Sequence, residues 1–415
     1  ITHFGPAPLV GVTPRWRLKN VAGDILLEGA LAQQDIPRGS AIALGEVQVA
    51  FAALPVPSQL TLELTVDAFT NDWHLWVYPN PVETPMPDDI HIAASLDDAA
   101  LAALAGGGKV LLMPGPGTVA RPRFGNVPSA FPPIFWNTFW FPTQQLRTLG
   151  LLCDPAQPLF ARFPTAFHSD WQWWDLVSRA EVMSLDGLPQ EVRPLVQVID
   201  DWNTCRRLGL VFEARVGAGR LLACSMDLET ALDQRPAARQ LRRSLLDYMA
   251  ANSFSPAQQL TVGQLETVFQ EPSPYAKLGA TVTADSEHPG YEAGNVLDGD
   301  PVTFWHTRWG DTSDPYPHWI RIAFKQPATL HGIAVTPRQD MTNGHVGKYA
   351  VFVGDDPNSM GRPAARGIFP EGSQTHEIFF ETPACGKYLV LQALRPRYPE
   401  HPWATIAEIQ LLMEE

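Results

Sequence analysis

The sequence predicts a multidomain protein in which two β-sandwiches flank an α/β layer domain. Three observations predict it. The chain has 415 residues, and at roughly 100–200 residues per domain this gives two to four domains, with three the central value. Apolar residues alternate at every second position near both ends, the period of half-buried strands, whereas the middle alternates short apolar runs with a helical pattern. The composition leans the same way. There are 39 prolines and 13 tryptophans, and only 18% of residues are charged, below the usual ~25%. That mixture suits a loop-rich, β-leaning chain.

The first domain is placed at 1–80. Trp16 and Leu18, Ile25 and Leu27, then Leu60, Leu62, Leu64 and Val66 mark strands, and Trp73-His74-Leu75-Trp76-Val77-Tyr78 closes the series. Ala22-Gly23-Asp24, Pro37-Arg38-Gly39 and Pro55-Val56-Pro57 are turn signals between them. Short strands at this spacing predict an immunoglobulin-like β-sandwich. The run from Pro79 to Pro87 holds four prolines in nine residues. It cannot sit inside a sheet and reads as a linker.

The middle domain is placed at 88–255. Ile90-His91-Ile92-Ala93 and Lys109-Val110-Leu111-Leu112-Met113 read as strands, with an alanine-rich helix from Leu96 to Ala105 that Gly106-Gly107-Gly108 ends. Residues 209–214 and 219–225 read as two further strands. Residues 236–250 read as a helix with Arg239, Arg242 and Arg243 on one face and Leu241, Leu245, Leu246 and Met249 on the other. Residues 256–275 are polar and are expected to link or to pack across.

The third domain is placed at 276–415. Ile320, Ile322 and Phe324 alternate with Arg321, Ala323 and Lys325, and further strands are expected at 329–337, 348–354, 375–380, 387–394 and 404–413. The pattern predicts a second β-sandwich, with no internal repeat.

Charge excludes some partners. Thirty Lys and Arg stand against 44 Asp and Glu, a net charge of −14. Such a chain does not attract phosphate backbones or an anionic membrane surface, so neither nucleic acid nor membrane is an expected partner. Neutral ligands such as sugars stay open. Cys153, Cys205, Cys224 and Cys385 form no CxxC pair and no metal-ligand spacing, so they read as free buried thiols. No run of 18 apolar residues occurs. The chain begins at Ile1 without a signal peptide, which reads as removal of an upstream segment.

Two constellations in the third domain carry chemistry. The first is Asn295-Val296-Leu297-Asp298-Gly299-Asp300-Pro301-Val302-Thr303, with Glu408 near the end. Asp298, Asp300, Thr303 and Glu408 offer hard oxygen donors suited to Ca²⁺. On spacing alone, Asp-Gly-Asp-Pro is equally a plain turn. The second is His306-Thr307-Arg308-Trp309 followed by Pro337-Arg338-Gln339-Asp340-Met341-Thr342-Asn343. An indole can cover the apolar face of a pyranose while Arg, His and Asn bond its hydroxyl rim. The alternative is that Trp309 is core and Arg338 a surface charge.

These residues carry a resemblance. From Lys277 to Met413 the chain resembles carbohydrate-binding module family 32, of the discoidin (coagulation-factor type C) fold. The likeness rests on the segment from Asn295 to Trp309, on Tyr316-Pro317-His318, Pro337-Arg338-Gln339 and Lys348-Tyr349, and on Ala407-Glu408-Ile409. It implies a structural Ca²⁺ at Asp298, Asp300, Thr303 and Glu408. It also implies a sugar site at His306, Trp309, Arg338 and Asn343, joined by Glu287, for galactose or N-acetylgalactosamine with its axial O4.

The middle domain resembles the glutamine-amidotransferase-like domains near the C-termini of large glycoside hydrolase family 2 proteins. Gly107 to Pro114, Phe135-Trp136-Asn137, Phe163-Pro164-Thr165, Trp171-Gln172-Trp173, Val198 to Trp202, and Leu210-Val211-Phe212-Glu213 with Gly217-Ala218-Gly219 carry that likeness. No Gly-x-Cys-x-Gly elbow occurs, so the domain reads as degenerate and non-catalytic. His168 with Asp170 is a possible base and orienter or a surface pair. Trp136, Trp140, Trp171, Trp173 and Trp174 line a groove or pack a core. The first domain resembles the β-sandwich that follows the catalytic barrel in the same hydrolases, through Arg15-Trp16-Arg17-Leu18, Gly23-Asp24, Asp35-Ile36-Pro37 and Trp73 to Pro79.

A retaining glycosidase needs two carboxylates about 5 Å apart, and a (β/α)₈ barrel takes roughly 250 residues. Neither is legible in this chain. The resemblance therefore implies the non-catalytic C-terminal part of a secreted or periplasmic bacterial β-galactosidase-like protein. Its catalytic barrel would lie upstream, and its last module would bind galactose-containing glycan. The alternatives are a free-standing lectin-like protein, and an esterase or amidohydrolase using the middle domain.

Overall fold

In the computed structural model, residues 1–80, 87–115, 117–120, 148–201, 204–270, 273–310, 314–357, 359 and 361–413 are described. Residues 81–86 of the expected linker, Phe135-Trp136-Asn137, Trp140 and Trp202 lie outside them. By its internal contacts the chain divides into two units, Ile1–Met113 with Val127–Thr267, and Pro114–Asn126 with Val268–Glu415.

The first unit opens with six strands. They are β1 (Leu9–Val12), β2 (Arg15–Asn20), β3 (Ile25–Ala30), β4 (Gln34–Ile36), β5 (Ser58–Val66) and β6 (Phe69–Val77). Four form an antiparallel sheet in the order β3-β2-β5-β6, and β1 pairs with β4. The apolar alternation decides the faces: Leu18, Ile36, Leu60 and Val66 are buried. The β2–β3 turn passes through Gly23 at φ +88°, a left-handed conformation that glycine adopts without strain.

The unit continues with β7 (Ile90–Ala93), helix α1 (Asp98–Ala105), β8 (Lys109–Leu112), β9 (Gly150–Cys153), β10 (Met183–Ser184), β11 (Val196–Ile199), β12 (Leu208–Val216), β13 (Gly219–Cys224), helix α2 (Pro236–Ala250) and β14 (Gln259–Leu260). The Asp97 carboxylate caps α1 by accepting from the Ala100 N–H at 2.8 Å. Pro236 opens α2, where a missing N–H costs nothing. The strands make one mixed sheet in the order β7-β8-β13-β12-β11-β9, with β10 and β14 also on β12. β7, β8 and β13 run parallel, and β12, β11 and β9 alternate in direction. The strands buried on both faces are the continuous apolar runs, such as Leu221-Leu222-Ala223-Cys224. Helix α2 packs Leu241, Leu245, Leu246 and Met249 into the core with Trp173 and Phe163. Of the two readings for 256–275, packing holds up to Thr267: β14 joins the sheet, and Thr261 caps a helical turn over Val262–Leu265.

In the second unit, β15 (Thr281–Ala284), β16 (Trp305–His306), β17 (His318–Thr336), β18 (Val346–Gly354), β19 (Ala365–Ile368), β20 (His376–Pro396), β21 (Thr405–Ile406) and β22 (Glu408–Leu412) are all antiparallel. β17 is shared. Its first part pairs with β15 and its last part with β22, with register breaks between Ala323 and Ala328 and between Leu330 and Gly332. The strands expected at 375–380 and 387–394 are one long strand, β20, paired across those same breaks. Between the layers lie Trp305, Ile320, Ile322, Leu330, Ile333, Leu389, Leu391 and Ile409.

None of the four cysteines is in a disulfide, but the expectation that they are buried is corrected. Only Cys224 is buried; Cys153 is half-buried, and Cys205 and Cys385 are exposed. Among the described residues no helix is long and apolar enough to cross a membrane.

Candidate functional site

The site grows from β16. Trp305 is fully buried and its indole N–H donates to the Ser286 carbonyl at 2.8 Å. That anchor makes its neighbour His306 the last residue of the strand before the chain turns out to Trp309. His306 is itself buried, with Nδ1 2.6 Å from the Thr307 carbonyl. Its backbone is fixed on both sides, since His306 N–H donates to Tyr291 and His306 C=O accepts from His288.

Trp309 is half-buried and lies flat on His288, with ring centroids 3.3 Å apart and an interplanar angle of 13°. The His306 and Trp309 rings meet at 4.3 Å, Tyr291 meets Trp309 edge-on at 5.2 Å, and Trp403 stands 6.0 Å from His306. Two ring nitrogens at this cluster, His288 Nδ1 and Trp403 Nε1, are buried without a hydrogen-bond partner in the protein.

Arg338 forms the polar side. It is not the surface charge of the alternative reading, being only 8% exposed. Its guanidinium lies over the Phe304 ring at 4.2 Å, donates through Nη2 to Asp340 at 2.9 Å, and through Nη1 to Asn343 Oδ1 at 3.1 Å. The forked pair with Asp340 fixes the guanidinium plane. Asn343 is held by the turn behind it. Gly344 has φ +79°, and a Cβ there would stand 2.6 Å from Thr405 Cγ2, while Gly344 C=O accepts from the Thr405 N–H at 2.7 Å. Phe304, beneath the Arg338 guanidinium, stands 6.4 Å from the His306 ring and links the His306–Trp309 pair to the Arg338–Asn343 pair. Glu287 sits one residue before the stacked His288, and its carboxylate accepts from the Ala293 N–H at 3.0 Å.

Burial pushes His306 down to about 4, and the positive charge of Arg338 acts the same way. The ring is therefore neutral at pH 7. Unfolded histidine titrates near ~6.5, so between that pH and about 4 the unfolded chain binds a proton that the folded chain refuses. Stability must fall as pH drops through this window. Urea unfolding of the intact chain at pH 7.0, 5.5 and 4.5 is expected to show that fall, and His306→Gln to flatten it. An equal slope in the variant would contradict the assignment.

The oxygen-rich loop is a tight turn. Asp298 Oδ1 accepts from the Asp300 N–H at 2.9 Å and Oδ2 from the Thr303 hydroxyl at 2.7 Å, and that hydroxyl also reaches the Asp300 carbonyl at 2.9 Å. Gly299 takes φ +74° in this turn. The short helix Ala293–Leu297 that leads into it packs against β22, whose first residue is the buried Glu408. The charge of Glu408, after burial, pushes Tyr275 upward. All donors here are hard oxygens, the chemistry Ca²⁺ prefers. Among the described residues no group of three or more His, Cys, Asp and Glu side chains converges on a metal position. A cation here would draw on Thr303 and main-chain carbonyls beside the carboxylates.

In the middle domain, Cys153 and Cys224 are not poised as nucleophiles. Burial pushes Cys153 up to about 11 and Cys224 up to about 12. His168 Nδ1 faces the Ser169 carbonyl at 3.0 Å, and Asp170 caps the turn at Trp171 by accepting from the Gln172 N–H at 3.0 Å. Of the tryptophans there, Trp173 is core, whereas Trp171 is 80% and Trp174 54% exposed.

Sequence reasoning missed His288, Tyr291, Phe304, Asp340 and Trp403. Asp340 lay within the quoted motif, two residues from Arg338. His288 and Trp403 had no local signal, because their contacts with the site cross long stretches of chain.

Residues 281–409 match the F5/8 type C domain family. Residues 1–79 and 91–270 match two families described as domains of unknown function, DUF8488 and DUF8487. The chain is 38% identical over 133 residues to a galactose oxidase of Gibberella zeae, covering 31% of this chain and 19% of that protein. It is 32% identical over 131 residues to a sialidase of Micromonospora viridifaciens, covering 31% and 20%. It is 40% identical over 75 residues to an A type blood N-acetyl-alpha-D-galactosamine deacetylase of Flavonifractor plautii, covering 17% and 10%. The chain thus spans about a fifth or less of the length of these relatives. Among solved structures it is similar to the family 32 module of C. perfringens NanJ in complex with galactose. The identity is 26%, the coverage is 32% of this chain and 92% of that one, and the TM-score is 0.29. The C-terminal part of the chain is an F5/8 type C domain, a discoidin-type β-sandwich.

Proposed function

We propose that the F5/8 type C domain binds a terminal galactose or N-acetylgalactosamine residue of a glycan at His306, Trp309, Arg338 and Asn343, with Glu287 at the rim. One observation carries the reading: the Trp309 ring packs at 4.3 Å on His306, which feels the charge of an Arg338 guanidinium whose plane Asp340 and Asn343 already hold. Galactose turns O4 to the axial position, which leaves one face of C–H groups for an indole and presents O4 to nearby donors. Pre-oriented donors lose little entropy on binding, so a small contact area suffices. The relatives support the same class of ligand, since their names describe enzymes acting on galactose, sialic acid and N-acetylgalactosamine. Retention of the intact chain on immobilised galactose, with elution by free galactose and not by glucose, tests it.

The finer reading extends this to a parent protein. The first domain is taken as immunoglobulin-like and the middle one as a degenerate amidotransferase-like layer. The chain is then the non-catalytic end of a secreted or periplasmic β-galactosidase-like family 2 hydrolase. Binding would keep an upstream catalytic barrel near its polysaccharide by raising local concentration.

We assign a structural Ca²⁺ to Asp298, Asp300, Thr303 and Glu408. Its role would be to lock the loop that leads to Trp305 and His306. Chelation is expected to lower the melting temperature of the second unit, and added Ca²⁺ to restore it. Identical melting curves in both conditions, with metal content measured as zero in chelator, would contradict the assignment.

A further inference from the structure

A large cleft of the first unit lies far along the chain from the residues above. It has a volume of about 1260 Å³ and runs between β6 and the segments 170–175 and 234–239. Ligand pockets for single small molecules span roughly 300–1,000 Å³, so this one has room for a chain of several units. Its walls expose Trp73 at 46%, Trp171 at 80% and Trp174 at 54%. The last two rings stand 6.2 Å apart and tilted by 56°. Large indoles exposed together in one concave surface mark a binding site rather than ordinary surface.

The same walls hold buried polar atoms without a partner in the protein: the Trp76 indole N–H, the Arg239 Nε–H and Asp170 Oδ2. These two donors and one acceptor belong to residues that line the cleft, and a buried polar group left unsatisfied costs free energy. Their mixture fits hydroxyl groups, which both donate and accept. The charge pattern excludes a phosphorylated ligand. Arg235, the most buried cation here, is engaged by Asp175 at 2.7 Å and Asp227 at 3.0 Å, and two further carboxylates, Asp72 and Asp170, line the cleft alongside Arg239 and His74. The floor is built, because the Tyr78 hydroxyl donates to Gln172 Oε1, and Tyr78 stacks on Phe163 at 6.3 Å.

We propose that this cleft is a second saccharide site, taking an uncharged oligosaccharide chain with its sugar rings on Trp171, Trp174 and Trp73. It is independent of the galactose-type site.

The test is affinity electrophoresis of the intact chain carrying Arg338→Ala, with soluble β-1,4-galactan, galactomannan and xyloglucan as probes. At least one polysaccharide is expected to retard this chain. Adding Trp171→Ala and Trp174→Ala is expected to weaken that retardation at least tenfold, with the melting temperature unchanged because both rings are exposed. Should the double variant melt early, Trp73→Ala on the opposite wall decides by the same criterion. No retardation by any probe would overturn the proposal, as would retardation that the tryptophan substitutions leave intact. Retardation of Arg338→Ala equal to the unmodified chain, abolished by the tryptophan substitutions, would support this site and count against the galactose-type one.

Discussion

Arg338→Ala is expected to reduce galactose binding by about 100-fold or more while leaving the domain folded. Each hydrogen bond to a charged group contributes roughly 1.5–3 kcal/mol when its partner is buried, and the guanidinium is the best-held donor of the site. Its loss acts twice. The sugar loses a charged donor, and Asn343 loses the bond that fixes its amide. The fold survives because Asp340 is more than half exposed and regains water when its partner goes. Arg338→Lys separates charge from geometry. Lysine keeps the cation but cannot reproduce the fork to Asp340, so its affinity is expected between the two. Calorimetric titration with galactose measures all three proteins. Equal affinities would show that the ligand lies elsewhere.

Trp305→Ala is expected to cause the largest loss of stability in the second unit. The side chain is fully buried at the centre of the sandwich core. Truncating a buried tryptophan costs about 3–5 kcal/mol through lost burial and the cavity left behind. The Ser286 carbonyl also loses the indole N–H that it accepts from. For a domain of this size the melting temperature should drop by on the order of 10 °C. Trp305→Phe keeps most of the volume and loses only the N–H, so it is expected to cost about 1–2 kcal/mol. Trp309→Ala, four residues on, is the contrast. Its ring is half-buried at the surface, so it should lose ligand and keep stability. Thermal unfolding by circular dichroism reads both, and a Trp305→Ala protein melting with the unmodified chain would refute the role given to that core.

Where burial follows a local period, the sequence disclosed the structure. Helix α2 runs over 236–250 as its proline start and apolar face predict, and the first part of β17 buries Ile320, Ile322 and Phe324. What stayed hidden is set by distant contacts. β20 reads as two strands because the register breaks that bend it depend on its pairing with β17. β14, with two residues, has no period at all and exists only through β12. The same division holds at the site. His306, Trp309, Arg338 and Asn343 sit in short local motifs, which is why the sequence alone could name them as candidates. His288 and Trp403 complete the aromatic cluster from segments about 20 and nearly 100 residues away in sequence. In the middle domain, sequence alone left the tryptophans open between core and groove. Trp173 took the first role, and Trp171 and Trp174 the second, because a single helical turn points neighbouring side chains to opposite sides.

The central claim is that the F5/8 type C domain recognises galactose through His306, Trp309, Arg338 and Asn343. Calorimetric titration of the intact chain in Ca²⁺ with galactose, and separately with glucose, tests it most directly, since the two sugars differ only at O4. Saturable binding of galactose with glucose at least tenfold weaker is the predicted result. Equal binding of both, or of neither, would contradict it.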